Sequence, residues 1–147
     1  MLEFKSFKFP LIDTAMIHLP VSPGAVERDA SGRAALLHIG PGRFLVPAPT
    51  PELVRRLDTL QAAGVGALFD VDGKWRAFAL TGPSYERVLS STIDLSQVLA
   101  NRDCAALHLF DCPAVLARRP DAFDVWIEAS FAGAFRESMR ARGYLCD

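Results

Sequence analysis

Apolar positions change their spacing several times along this chain, and each change marks an element boundary. From Ala34 to Ile39 the sequence is almost continuously apolar; Pro41-Gly42 interrupts it, and RFLVPA (43–48) resumes it. Two short apolar runs around Pro-Gly predict two strands and a tight turn, because Pro presets φ at the second turn position and Gly tolerates positive φ at the third. A phosphate loop is the other reading of such a turn, but the GxGxxG spacing and the Walker lysine are missing.

The period then lengthens. In TPELVRRLDTLQAAG (50–64), Leu53, Leu57 and Leu60 form a helical stripe, Thr50 is placed to cap the first turn, Pro51 suits that turn, Glu52 complements the dipole and Gly64 ends the helix. VGALFDV (65–71) and KWRAFALTG (74–82) read as strands, and the Asp72-Gly73 between them predicts a hairpin. A short helix follows Gly82-Pro83, with Tyr85, Val88 and Leu89 on one face; DLSQVLANRD is a polar connection with a short turn. CAALHLFD (104–111) and AVLARR (114–119) read as a strand pair turning at Cys112-Pro113. FDVWI (123–127) is the last strand. A helix from about residue 131 to 142 ends at Gly143, its face formed by Phe131, Ala134, Phe135, Ser138 and Met139.

The first 33 residues show no clear period. Pro10, Pro20, Pro23 and Gly24 precede the polar turn ERDASGR, which predicts an extended arm and loop before a single domain over 34–147. Phe4, Phe7 and Phe9 of that arm need cover, on the domain or on a partner. Mixed strands and helices with several hairpins predict an α+β domain, antiparallel sheet with helices on one side. A strand-then-helix unit ending in Gly recurs near both ends, which predicts a pseudo-duplicated, ferredoxin-like layout.

Composition narrows the function classes. Of 147 residues, 50% are apolar and 22% charged, which is ordinary for a globular chain with a real core. A net charge of −1 with scattered arginine pairs lacks the basic stripe of a nucleic-acid binder and gives no attraction to an anionic membrane. Three cysteines (Cys104, Cys112, Cys146) without a CxxC speak against a disulfide framework or a zinc site and fit a reducing cytoplasm. MLEFKSFKFP is too broken by charge for a signal peptide.

Candidate chemistry is sparse. Ser130 lies where a strand pattern becomes a helix pattern, so it reads as a helix cap or as a nucleophile. The surrounding EASFA lacks the glycines of a nucleophile elbow, and no histidine follows His108, so the cap is the better reading. His18, His38 and His108 have no metal-ligand spacing; the last two read as satisfied strand histidines. Asp70 and Asp72 bracket Val71 and read as turn formers, or as a carboxylate pair for a cation or an amine. Trp126 alternates with Phe123, Val125 and Ile127 and so shares the other strand face with Asp124 and Glu128; it is covered by a loop or by a partner. Catalytic residues and metal ligands are expected to be none.

Three stretches, in order, carry a resemblance: HIGPGRFLV, LFDVDGKWRAFALTGPSYERVLSSTIDLS and DVWIEASFAGAF. Together they resemble the gamma subunits of heterotetrameric sarcosine oxidases, in the folate-binding, aminomethyltransferase-like family. Departures include Asp72 where the family has Ser after Asp-Val, and Ala129 where an arginine commonly precedes Ser-Phe-Ala. The resemblance implies the fold of the aminomethyltransferase folate-binding domain and a non-catalytic assembly role. It implies large partner subunits that carry FAD, FMN and NAD and oxidise sarcosine or another N-methyl amino acid, with tetrahydrofolate bound on the largest. Phe4, Phe7, Phe9 and Trp126 would then be partner contacts, and the isolated chain would form a homodimer through the same surface. The alternative is a stand-alone folate- or pterin-binding module in which Asp70 holds the pterin ring.

Overall fold

A computed structural model describes residues 12–82 and 85–143, and the backbone of residues 6 and 7. In chain order the elements are β1 (Ser6–Phe7), β2 (Ile12–Ala15), β3 (Val26–Arg28), β4 (Ala34–Gly40), β5 (Arg43–Val46), α1 (Pro51–Ala62), β6 (Ala67–Asp70), β7 (Trp75–Leu80), α2 (Tyr85–Ser90), α3 (Leu95–Val98), β8 (Cys104–Leu109), β9 (Cys112–Arg118), β10 (Phe123–Glu128), a 3₁₀ turn (Ala129–Phe131) and α4 (Ala132–Ala141). The strands form two five-stranded sheets, β3-β4-β5-β2-β6 and β1-β7-β10-β9-β8, and every neighbouring pair is antiparallel. The α+β class with antiparallel sheets is therefore observed.

Contacts divide the chain into two compact units, Phe9–Asp72 and residues 1–8 with 73–147. The division falls at Asp72/Gly73 rather than at residue 33, and the stretch expected to be arm and loop supplies β2 and β3 to a sheet. β2 lies between β5 and β6, inside the sheet. Its sequence, IDTA, hides this because its two buried positions are polar. The Asp13 carboxylate is held by Arg43 through two hydrogen bonds, Nη2 to Oδ2 at 2.8 Å and Nε to Oδ1 at 3.2 Å. The Thr14 hydroxyl accepts the Phe44 amide at 2.9 Å. Their hydrogen bonds offset the desolvation penalty of burying both residues.

In the first unit, Ile17, Leu36, Phe44, Val46, Leu53 and Leu57 form the core with Ile12, Leu60 and Leu68 against it. Leu53 and Leu57 come from α1, as their spacing predicts. Thr50 caps that helix by accepting the Leu53 amide at 3.2 Å. Gly64, at φ +70, closes it: its N–H reaches Gln61 O and the Val65 N–H reaches Leu60 O, the paired bonds of a Schellman end. The Pro41-Gly42 turn joins β4 to β5 as expected, with Gly42 at φ +64.

In the second unit, one sheet face packs under the helices. Phe78, Leu116, Val125 and Ile127 meet Val88, Leu89, Phe135 and Met139, with the rings of Phe78 and Phe135 5.6 Å apart. Fully burying a side chain of this size contributes about 1.5–3 kcal/mol. The buried face of α4 is Ala132 with Phe135 and Met139, the latter two as expected, whereas Phe131 and Ala134 of the expected stripe are exposed. The cause is the 3₁₀ turn, which delays the α-helix to Ala132 and shifts its register.

Two turns also differ from expectation. Asp72-Gly73 does not close a hairpin: β6 pairs with β2 and β7 pairs with β1 and β10, so this turn carries the chain from one unit to the other. The β8–β9 turn is at Phe110-Asp111, not at Cys112-Pro113. Leu109 pairs with Cys112, and both loop residues have positive φ (48° and 63°), as a two-residue type I′ loop requires. Pro113 lies inside β9, outside the register with β10 that ends at Ala114, so its missing N–H costs no bond there.

The two sheets have one topology. Read as β3-β4-β5-β2-β6 and β8-β9-β10-β7-β1, each has a three-strand meander, then the strand that precedes the meander in sequence, then one more edge strand. In the first unit β5 and β6 flank β2 and are joined by α1, a split β-α-β. In the second unit α4 follows β10 in the same way, but the strand in the flanking position is β1, from the other end of the chain. The duplication is thus present, in permuted form.

Candidate assembly surface

The residues singled out from sequence do not converge. Asp70 ends β6 with an exposed side chain, and its Oδ1 accepts the Asp72 amide at 3.0 Å, the bond of a turn-forming aspartate. Trp126 pairs with Ala77 and Val115 and is only 6% exposed, so the chain itself covers it and it offers a partner little surface. Phe7 is placed by its backbone opposite Ala77; its side chain, Phe4 and Phe9 lie outside the described residues.

Ser130 caps nothing. It lies within the 3₁₀ turn, and its hydroxyl donates to Glu128 Oε1 at 3.4 Å, while Phe131 occupies the cap position of α4 without a side-chain bond. The cap expectation fails because the turn starts one residue earlier, where the Ala129 amide is already taken by Lys74 O at 2.7 Å. His38 is satisfied: Nδ1 lies 2.9 Å from Val21 O and its ring stacks on Phe44. His18 and His108 are exposed, the latter on the edge strand β8. Cys104 and Cys112 are buried thiols outside any disulfide; burial, with Asp111 nearby, pushes the Cys112 thiol up, away from the reactive thiolate. Among the described residues no three His, Cys, Asp or Glu side chains group to hold a metal ion. Nor is any described helix long and apolar enough to cross a membrane.

What sequence reading missed is an apolar edge. Met16 is 75% exposed, Phe69 51% and Val65 46%; Met16 follows β2, Val65 precedes the edge strand β6 and Phe69 lies within it. Asp13 pairs with Phe69 and Ala15 with Ala67, so Met16 continues β2 past its last paired residue, level with Gly66. The signal was available in the alternation of VGALFDV. With Leu68 turned to the core under α1, Phe69 must point to the other face. On that face it neighbours the Asp13–Arg43 pair, where the hydrogen bonds to Asp13 raise the Arg43 pKa above its usual value. The arrangement presents large apolar side chains on a rigid edge beside fixed charges.

Comparison with known proteins locates the fold. No family model matches the chain, and no curated protein matches it. Sixteen chains among solved structures match. One belongs to heterotetrameric sarcosine oxidase from Corynebacterium sp. U-96, in complex with pyrrole 2-carboxylate. Its TM-score is 0.67 at 22% identity, over 90% of this chain and 78% of that chain. The protein is similar in fold to a chain of an oxidoreductase complex.

Proposed function

We propose that this chain is a non-catalytic assembly subunit, of gamma type, in a flavin-dependent oxidoreductase complex acting on sarcosine or a related N-methyl amino acid. The observation that carries the reading is the fold match across nine-tenths of the chain to a chain of a heterotetrameric sarcosine oxidase. The site chemistry agrees. The Ser130 hydroxyl meets the Glu128 carboxylate with no histidine bonded to it among the described residues, Asp70 closes a turn and Asp13 is tied to Arg43. FAD, FMN and NAD belong on larger partner subunits in this reading, with tetrahydrofolate on the largest, and the complex works in the cytoplasm. Such cofactors supply the hydride chemistry, and a subunit of this kind supplies packing.

The test is purification of the tagged chain from its native cell, followed by a gel and a visible spectrum of the eluate. Two larger chains in constant ratio with flavin absorbance near ~450 nm are expected, since the cofactors carry the chemistry. A colourless chain without larger partners would overturn the proposal. Titration with tetrahydrofolate would then examine the stand-alone pterin module, in which Asp70→Asn weakens binding markedly.

A further inference from the structure

The two described methionines sit in opposite surroundings. Met139 is wholly buried on α4, in the same core as Phe135 and Phe78. Met16 directly follows β2 and is 75% exposed. Its backbone is fixed there. The φ of Met16 is +57°, in the left-handed region. Gly42 and Gly66 approach it closely: a Cβ on Gly42 would lie 3.0 Å from the Met16 Cα, and one on Gly66 would lie 2.9 Å from the Met16 carbonyl oxygen. The next residue anchors the segment, because the Ile17 amide donates to Gly42 O at 2.9 Å and the Ile17 side chain is wholly buried.

Neither conformation nor packing accounts for a methionine at this position. Glycine and asparagine enter the left-handed region more readily, and a side chain this exposed fills no core. What methionine brings is a thioether, a soft sulfur open to oxidation wherever solvent reaches it. We propose that Met16 is the peroxide-oxidation site of this chain, converted to its sulfoxide by hydrogen peroxide while Met139 is spared. A sulfur lone pair attacks one peroxide oxygen. The S–O bond forms as the O–O bond breaks, the sulfur is oxidised to the sulfoxide, and the peroxide is reduced, its other oxygen leaving as water after proton transfer. At Met16 the new polar oxygen stays in solvent and the fold is untouched. At Met139 the same oxygen would be buried among apolar side chains. The inference goes beyond the assembly reading and does not depend on it.

The test treats the full chain, purified from native cells with any chains bound to it, with hydrogen peroxide. Mass spectrometry of its peptides then follows the addition of one oxygen at each methionine. Met1 lies outside the described residues and is scored on its own peptide. Met16 is expected to oxidise at least about tenfold faster than Met139, whose sulfur is reached only when the core opens. With Met16 fully oxidised the melting temperature should be unchanged, and methionine sulfoxide reductase should remove the added oxygen. In concentrated urea, with the core open, the two residues should react at similar rates. Equal rates in the folded chain would overturn the inference, as would a Met16 slowed to the rate of Met139 by a bound partner chain. A melt lowered by oxidation of Met16 alone would overturn it too. So would unequal rates in urea, which would tie the difference to local sequence rather than to the fold.

Discussion

At the scale of single residues, one carboxylate held in a local turn gives a sharp pH dependence. Asp29, in the β3–β4 connection, accepts from the Ser31 hydroxyl at 2.6 Å, from the Ser31 and Arg33 amides, and from Arg33 Nε. These bonds, that of the Ser31 hydroxyl first, lower its pKa from 3.8 to about 2. A carboxyl depressed in the folded state contributes stability above its unfolded value, and that contribution is lost as pH falls from about 4 to about 2. Carboxyl NMR should place the Asp29 midpoint near 2, and the ERDASGR turn should lose its ordered amide signals over the same window. In Asp29→Asn that pH dependence should be absent. A midpoint near 3.8 would show that the turn is not formed in solution. The motif was legible as a turn from its Asp-Ala-Ser-Gly composition, but its ion pair was not, because spacing alone does not say which of Arg28 or Arg33 the carboxylate chooses.

At the scale of elements, legibility followed how far a segment's periodicity was its own. Helix α1 could be read from end to end because cap, stripe and glycine stop are all local. Strand β2 could not, since Asp13 and Thr14 are made compatible with burial only by Arg43 and Phe44, thirty residues away. The β8–β9 turn failed for the opposite reason. Local chemistry points to Cys112-Pro113, and tertiary packing of the Phe110 ring over Phe135, under the Arg142 guanidinium, holds a loop that Asn-Gly would ordinarily occupy. Ser130 and Thr50 make the contrast measurable. Thr50→Ala removes a real cap and should lower unfolding stability by about 1 kcal/mol, whereas Ser130→Ala should change it by less than about 0.5 kcal/mol. Urea denaturation of both variants gives the comparison. Equal losses would mean that Ser130 caps α4 in solution, contrary to its bond with Glu128.

At the scale of the whole molecule, the permuted duplication assigns β1 a task that its length understates. In the first unit the edge place beside β2 is filled by four residues of β6, in register from Ile12↔Asp70 to Ala15↔Ala67. In the second unit the described residues in the equivalent place beside β7 are Ser6 and Phe7, opposite Phe78 and Ala77. An edge strand with unpaired amides is a template for association, and pairing removes it. The pairing cannot be foreseen from sequence, because two residues show no period and the partner strand is seventy positions on. Removing residues 1–8 should therefore leave the first unit's core intact while β7 loses protection. Amide exchange at Ala77 and Phe78 should accelerate by at least about tenfold, while Leu36 and Phe44 keep their rates. A synthetic peptide of residues 1–10 added in trans should restore slow exchange at β7. If exchange at β7 is unchanged by the truncation, β1 is not the strand that completes the second sheet, and the correspondence between the two units ends at four strands.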